Sequence, residues 1–424
     1  YDSRNSPLGR LLFCRDEDGN IADQGTSTPA DQAVVAKLQT LAERTPGCIA
    51  VEPSRLGLPA AWSPALPPPE RLGTSAFARG LDLRWRRTSY SDITAASHEA
   101  WVTSEPEDPL IADEPPAETA VATPDAGEAS GGRSALDADP ALAIPSLLGS
   151  MPVGVQVGTF VHRVLEATEF DAADLPAELA TRVSEVQGRR SVDVGDPAAV
   201  VAGLQAVLQT PLGSVLGGRR LCDFARPDRL DELGFELPLA GGDRPAGALT
   251  LSHVAEVLRE HLSPDDPLAG YADRLEDPRL RQTVRGYMTG SLDLVVRLGT
   301  ERPRFAVLDY KTNWLGEPDE PLTVGSYLPA GIAAEMQRHH YALQALLYLV
   351  ALHRYLRWRV PGYDPDRDLA GAVYLFLRGM IGPGTPAVDG VPCGVFGWRP
   401  PSGLVADLSD ALDASRLAGA AGRP

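Results

Sequence analysis

The chain has 424 residues, a formal net charge of −18 and an ordinary hydrophobic content of 43%, enough for a sizeable core in two or three domains. Its acidity argues against a protein that coats nucleic acid through bulk electrostatics. The longest apolar run, about Leu343 to Leu352, is too short to span a bilayer, and Cys14, Cys48, Cys222 and Cys393 form neither a disulfide framework nor CxxC metal spacing, so no membrane and a reducing cytoplasm are expected.

The chain begins at Tyr1 and reads as a fragment of something longer. Residues 31–44 carry Val34, Val35, Leu38 and Leu41 at helical spacing; no GxxxxGK[ST] phosphate loop accompanies them. Residues 104–139 hold ten acids, several prolines and one base, Arg133, so 100–147 is expected to be a disordered linker. From about 150 the texture turns globular. Helices are predicted at 155–168, 196–209 and 250–262. Strands are predicted at 231–239, 286–298, 304–311 and 369–378. Residues 332–358 predict one long helix. The order around the last strands is helix, strand, strand, strand, helix, strand, an α/β layer with a mixed sheet.

Chemistry concentrates in two of these strands. The chain has only two lysines, Lys37 and Lys311, and arginine supplies the other basic charges. Lys311 closes Asp309-Tyr310-Lys311, where Asp309 and Lys311 share a strand face. Asp293 stands in the neighbouring run Gly290-Ser291-Leu292-Asp293-Leu294-Val295. Two carboxylates suit Mg²⁺, which takes oxygen ligands. A bound metal can generate hydroxide near neutral pH, and an ammonium can position water and offset charge at phosphorus. The pattern therefore points to metal-dependent phosphodiester cleavage.

These runs, with Thr312-Asn313-Trp314-Leu315-Gly316, His353-Arg354-Tyr355-Leu356-Arg357 and Val373-Tyr374-Leu375-Phe376-Leu377-Arg378-Gly379, resemble the nuclease domain of the RecB family of helicase–nuclease subunits. The resemblance covers roughly 150–400. It implies a PD-(D/E)xK restriction-endonuclease-like fold, a mixed sheet flanked by helices, preceded by a linker and the end of a helicase domain. The implied divisions are 1–82 for the helicase-type end, 83–148 for a connector with the acidic linker, and 149–424 for the nuclease domain.

Further residues gain roles only through that resemblance. Gly158-Thr159-Phe160-Val161-His162-Arg163-Val164-Leu165-Glu166 is similar to the family's GTxxHxxxE helix, which implies His162 as a metal ligand beside Asp293, Asp309 and Tyr310. Glu166, four residues on, either supports His162 or is a solvated helix charge. Glu232 resembles the family's first-strand acid; Glu236 shares its parity and competes with it. Gln344 and Tyr348 form a QxxxY pair expected beside the site and holding DNA, with Gln337 and Tyr341 extending the face. The implied activity is Mg²⁺-dependent cleavage of single strands from unwound DNA in recombinational double-strand break repair, with RecC-like and RecD-like partners. The alternatives are a catalytically dead nuclease-fold clamp and a stand-alone nuclease without a motor.

Overall fold

The computed structural model describes residues 12–13, 30–52, 85–94, 140–190, 192–240, 242, 250–280, 285–317 and 320–413. The chain divides into two compact units, 1–79 and 80–424. In the first, helix α1 spans Asp31–Arg44 as its periodicity predicts, with no fully buried residue.

The second unit is built on a mixed six-stranded sheet: β1 (Trp85–Thr88), β2 (Arg229–Leu239), β3 (Arg285–Leu298), β4 (Arg304–Lys311), β5 (Leu369–Phe376) and β6 (Val395–Trp398). Strand β3 pairs antiparallel with β2 along nearly its whole length, while its other edge carries β1 in parallel at 285–288 and β4 antiparallel at 294–298. Strand β4 then runs parallel to β5, and β5 antiparallel to β6. Strand alternation separates two cores, one on each side. Val307, Tyr374 and Phe376 face helices α5 (Leu251–His261), α6 (Pro329–Arg338), α7 (Tyr341–Arg359) and α8 (Leu404–Leu412). Ala306, Leu308, Val373 and Leu375 face α2 (Val155–Ala167), α3 (Leu175–Arg189) and α4 (Pro197–Gln209). Both α3 and α4 start on an aspartate whose side chain accepts a backbone N–H, Asp174 from Ala177 and Asp196 from Ala198, with proline in the first turn.

Three expectations change. Residues 332–358 are not one helix: His340 takes a left-handed conformation, φ 57°, between α6 and α7, and its Nδ1 lies 2.8 Å from the Tyr271 hydroxyl. That conformation costs an L-residue about 1–2 kcal/mol, and a buried hydrogen bond helps hold it. Residues 100–139 of the expected linker lie outside the described residues, but its last stretch is built into the fold: Leu142 is buried and Pro145 bridges to Thr323. The connector assigned to 83–148 also supplies β1, followed by a helical turn, Tyr90–Thr94, whose Tyr90 and Ile93 enter the core.

Candidate active site

The site lies where β3 and β4 part. Their ladder ends at Leu294–Leu308, while β4 continues to pair with β5 through Lys311. Beyond the last rung the Tyr310 N–H has lost its strand partner, and the Asp293 carboxylate accepts it at 3.0 Å. An acid at this fork therefore satisfies the backbone and reaches the space between the strands.

The opposite strand makes room in another way. In β2, Leu233, Phe235 and Leu237 pack with the α7-side core, but Arg229 stacks on Phe170 of the α2-side core. Regular alternation would put 229 and 233 on the same face. The phase changes at Glu232, which has φ 51° and is skipped in the ladder opposite Asp293. The same change occurs in β3, where Leu292 and Leu294 belong to opposite cores. Glu232 and Asp293 thus sit at a kink of the two-stranded ribbon. Strain of this kind clusters at functional sites.

His162 comes from α2. Its Nε2 lies 2.9 Å from the Tyr310 carbonyl oxygen and its Nδ1 3.3 Å from Asp293 Oδ2. Ligand atoms of His162, Glu232 and Asp293 lie within 4.8 Å of one another. Asp309 faces the same cleft one rung deeper, where its Oδ2 contacts Lys311 Nζ at 2.8 Å. Lys311 is fully buried and lies over the rings of Tyr341, at 4.5 Å, and Tyr374, at 5.8 Å.

The electrostatics express crowding of acids. Burial, and next to it the charge of Asp293, push the Asp309 carboxyl well above the carboxylate range, despite Lys311. Burial also opposes ionisation of Asp293, but the charge and hydrogen bond of His162, aided by Lys311, hold it below its usual value. Glu232 is exposed as a residue, yet its carboxyl lies against Ser291, whose hydroxyl donates to it at 2.7 Å; burial and the Asp293 charge push it up to about 6. As an imidazolium His162 donates from both nitrogens, to the Tyr310 carbonyl and to Asp293. A divalent cation among these donors would relieve the crowding of the carboxylates and take the place of that proton charge, so the residues fit one. Imidazole, carboxylates and the Tyr310 carbonyl form a hard, mostly oxygen donor set.

A cleft of about 970 Å³ opens over this group. Gln344 and Tyr348 border it but are buried and bonded together: Gln344 Nε2 donates to the Tyr348 hydroxyl at 3.0 Å, and the Tyr374 hydroxyl donates to Gln344 Oε1 at 3.3 Å. Gln337 does not extend their face, because it lies on α6 and donates to the Pro267 carbonyl. Tyr341 lies beneath Lys311 instead. Glu166 is exposed at the cleft margin, and Glu236 pairs with Arg87 at 2.6 Å. The Tyr310 phenol is buried in the α2-side core, so only its main chain faces the site. Sequence reasoning missed Ser291 and the Tyr374 floor. Ser291 was legible, two residues before Asp293 in a strand.

A mixed sheet clasped by helices, with acids and a lysine at a strand fork and a histidine from the preceding helix, defines a class. Residues 149–391 match the PD-(D/E)XK nuclease superfamily, and the chain belongs to it. Nucleases of this superfamily generally use divalent metal ions. The chain is similar to the RecBCD enzyme subunit RecB of Mycolicibacterium smegmatis, 41% identical over 98% of this chain and 37% of that protein. The RecB of Mycobacterium tuberculosis is also 41% identical, over 98% of this chain and 36% of that protein. The RecB of Escherichia coli is 33% identical over 61% of this chain and 19% of that protein. The chain thus spans little more than a third of its mycobacterial relatives. Among the described residues no single helix is long and apolar enough to cross a membrane.

Proposed function

We propose that the chain is the Mg²⁺-dependent nuclease part of a RecB-like helicase–nuclease subunit, cleaving single strands of unwound DNA during double-strand break repair by homologous recombination. The observation that carries this reading is the fork itself, where Asp293, Asp309 and Lys311 meet His162 with a cleft above them. In this proposal the helicase motor precedes the chain, RecC-like and RecD-like subunits are its partners, and the assembly works in the cytoplasm.

His162, Asp293, Asp309 and the Tyr310 carbonyl would hold Mg²⁺, with Glu232 beside them. Bound there, the ion supplies Lewis acidity at the scissile phosphate and lowers the pKa of a water. Lys311 is held in place by Asp309 and by two aromatic rings, so its ammonium is aimed before substrate arrives. It orients the attacking water and meets the charge that develops on phosphorus. Glu232, ionised at neutral pH, is placed to take a proton from that water. Gln344 and Tyr348 support the cleft wall from below.

The test is degradation of single-stranded DNA by the intact protein with Mg²⁺ and with EDTA. Metal-dependent cutting that Asp309→Ala abolishes is expected. Absence of metal-dependent cutting in the intact parent complex would leave a nuclease-fold clamp as the better reading.

A further inference from the structure

A second cleft, of about 660 Å³, lies behind α2 and is bordered by Arg163, Arg182, Arg189, Arg226 and Arg229. It shares Arg163 and Glu166 with the catalytic cleft, so the two meet across one helix. Five arginines at one opening are notable in a chain of net charge −18. Three are already engaged: Arg182 with Glu178 and Glu185, Arg226 with Glu169 and Asp231, and Arg229 with Asp231, Glu169 and the Thr168 carbonyl. Arg163 and Arg189 have no ion pair among the described residues, and Arg189 is exposed. Arg229 forms a buried positive floor. Its Cζ is 3.6 Å from the Phe170 ring centre, Nη2 donates to the Thr168 carbonyl and lies 3.9 Å from Glu169, Nη1 is 3.6 Å from Asp231, and Nε and Nη1 have no hydrogen-bond partner among the described residues.

Guanidinium groups are planar forks that match phosphate oxygens. Among the described residues that border it there is no aromatic platform on which a base could stack, so its chemistry addresses a backbone. We infer that this cleft is a second phosphate-binding stretch for the nucleic-acid strand, which crosses α2 at Arg163 and is held at its far side by Arg189. The inference rests on the nuclease reading and extends it: substrates long enough to span both clefts bind better than substrates that fill only the first. Glu185, which also borders the cleft and neutralises part of Arg182, acts as a brake on that binding.

The experiment compares a dinucleotide with a long single-stranded oligonucleotide across a salt series, using the intact protein, Arg189→Ala, Arg189→Glu and Glu185→Gln. For the long strand, KM should rise about threefold in Arg189→Ala and about tenfold in Arg189→Glu, with kcat unchanged. The logarithmic salt slope should become shallower by about 0.7, the increment for one single-strand phosphate contact. Glu185→Gln should shift KM the opposite way. All variants should cleave the dinucleotide like the unmodified protein. An unchanged KM for the long strand overturns the inference, and so does an equal loss on both substrates, which would mark a folding effect. If the unmodified protein cuts neither substrate, the nuclease reading fails separately. Long-strand affinity in EDTA then decides: a drop for Arg189→Glu still supports the cleft, and no drop overturns it.

Discussion

At the scale of single residues, Lys311 shows why a charge count is a poor guide to function. Its ammonium is enclosed by Asp309, Tyr341 and Tyr374 with no exposed surface. A guanidinium is broader and planar, so Lys311→Arg must displace a ring or withdraw from Asp309. Single-turnover cleavage at saturating Mg²⁺ should fall by at least about a hundredfold, the scale of a lost transition-state electrostatic contact. Overpacking should add about 1–3 kcal/mol of destabilisation in denaturant melts. Lys37→Arg, on α1, is the control and should change neither. Glu232 gives a pH signature. Its carboxyl titrates near 6, so if it accepts the proton from water, kcat/KM should decline as pH falls through 6. Glu232→Gln should lower the plateau and remove that limb; an unchanged limb would assign it to another group.

At the scale of elements, the sequence is legible wherever a period runs unbroken. Helices α2, α4 and α5 and strands β4 and β5 follow their patterns closely, β2 and β3 match in extent but break phase at Glu232 and after Leu292, and Asp309 and Lys311 share a face as their spacing requires. Failures fall where a long-range contact overrides a local pattern. His340 breaks a sequence that is otherwise continuously helical, because Tyr271, far away in the chain, engages its ring. Strand β1 has four residues and no alternation to find; it exists because β3 offers an open edge. Parity could not separate Glu232 from Glu236, since the deciding event is a change of strand phase at Glu232 itself. Helix α7 carries its own pH dependence. Burial, with Arg357 and Arg354, pushes His353 down to about 4, below its ordinary 6.5. The folded state therefore keeps the ring neutral while the unfolded chain protonates it. Stability present above 6.5 should be lost as pH falls toward 4, by up to about 1.4 kcal/mol per pH unit. Urea melts of His353→Gln should show a flatter profile across that window.

At the scale of the whole molecule, the proposed metal site predicts that stability and metal occupancy are coupled. The carboxyls of Asp309 and Glu232 both feel the charge of Asp293 in a largely buried place, so an ion held there would stabilise the folded state alone. At a hundred times its Kd, Mg²⁺ should add about 2.7 kcal/mol. The thermal midpoint should rise with Mg²⁺ in the unmodified protein and much less in Asp309→Ala, a readout independent of DNA. Arg378 joins distant parts of the same unit. Buried, it donates to the carbonyls of Leu148, Met151 and Pro152 ahead of α2 and of Thr312 just after Lys311. Arg378→Met should cost several kcal/mol by leaving carbonyls unmet, measurable as a lowered denaturant midpoint.

Strand β1 belongs to the sheet, yet in the chain it stands before residues 95–139, and the whole donor set stands after them. A single backbone nick between 95 and 139 would therefore part the molecule unequally. One piece would keep every catalytic group, and the other would carry a short ribbon with Tyr90 and Ile93 as plugs. The separated strand pairs with β3 through four parallel rungs, so adding a peptide of residues 85–94 back to the nicked protein is expected to raise its thermal midpoint, and an unchanged midpoint would show that continuity of the chain is needed to seat the strand.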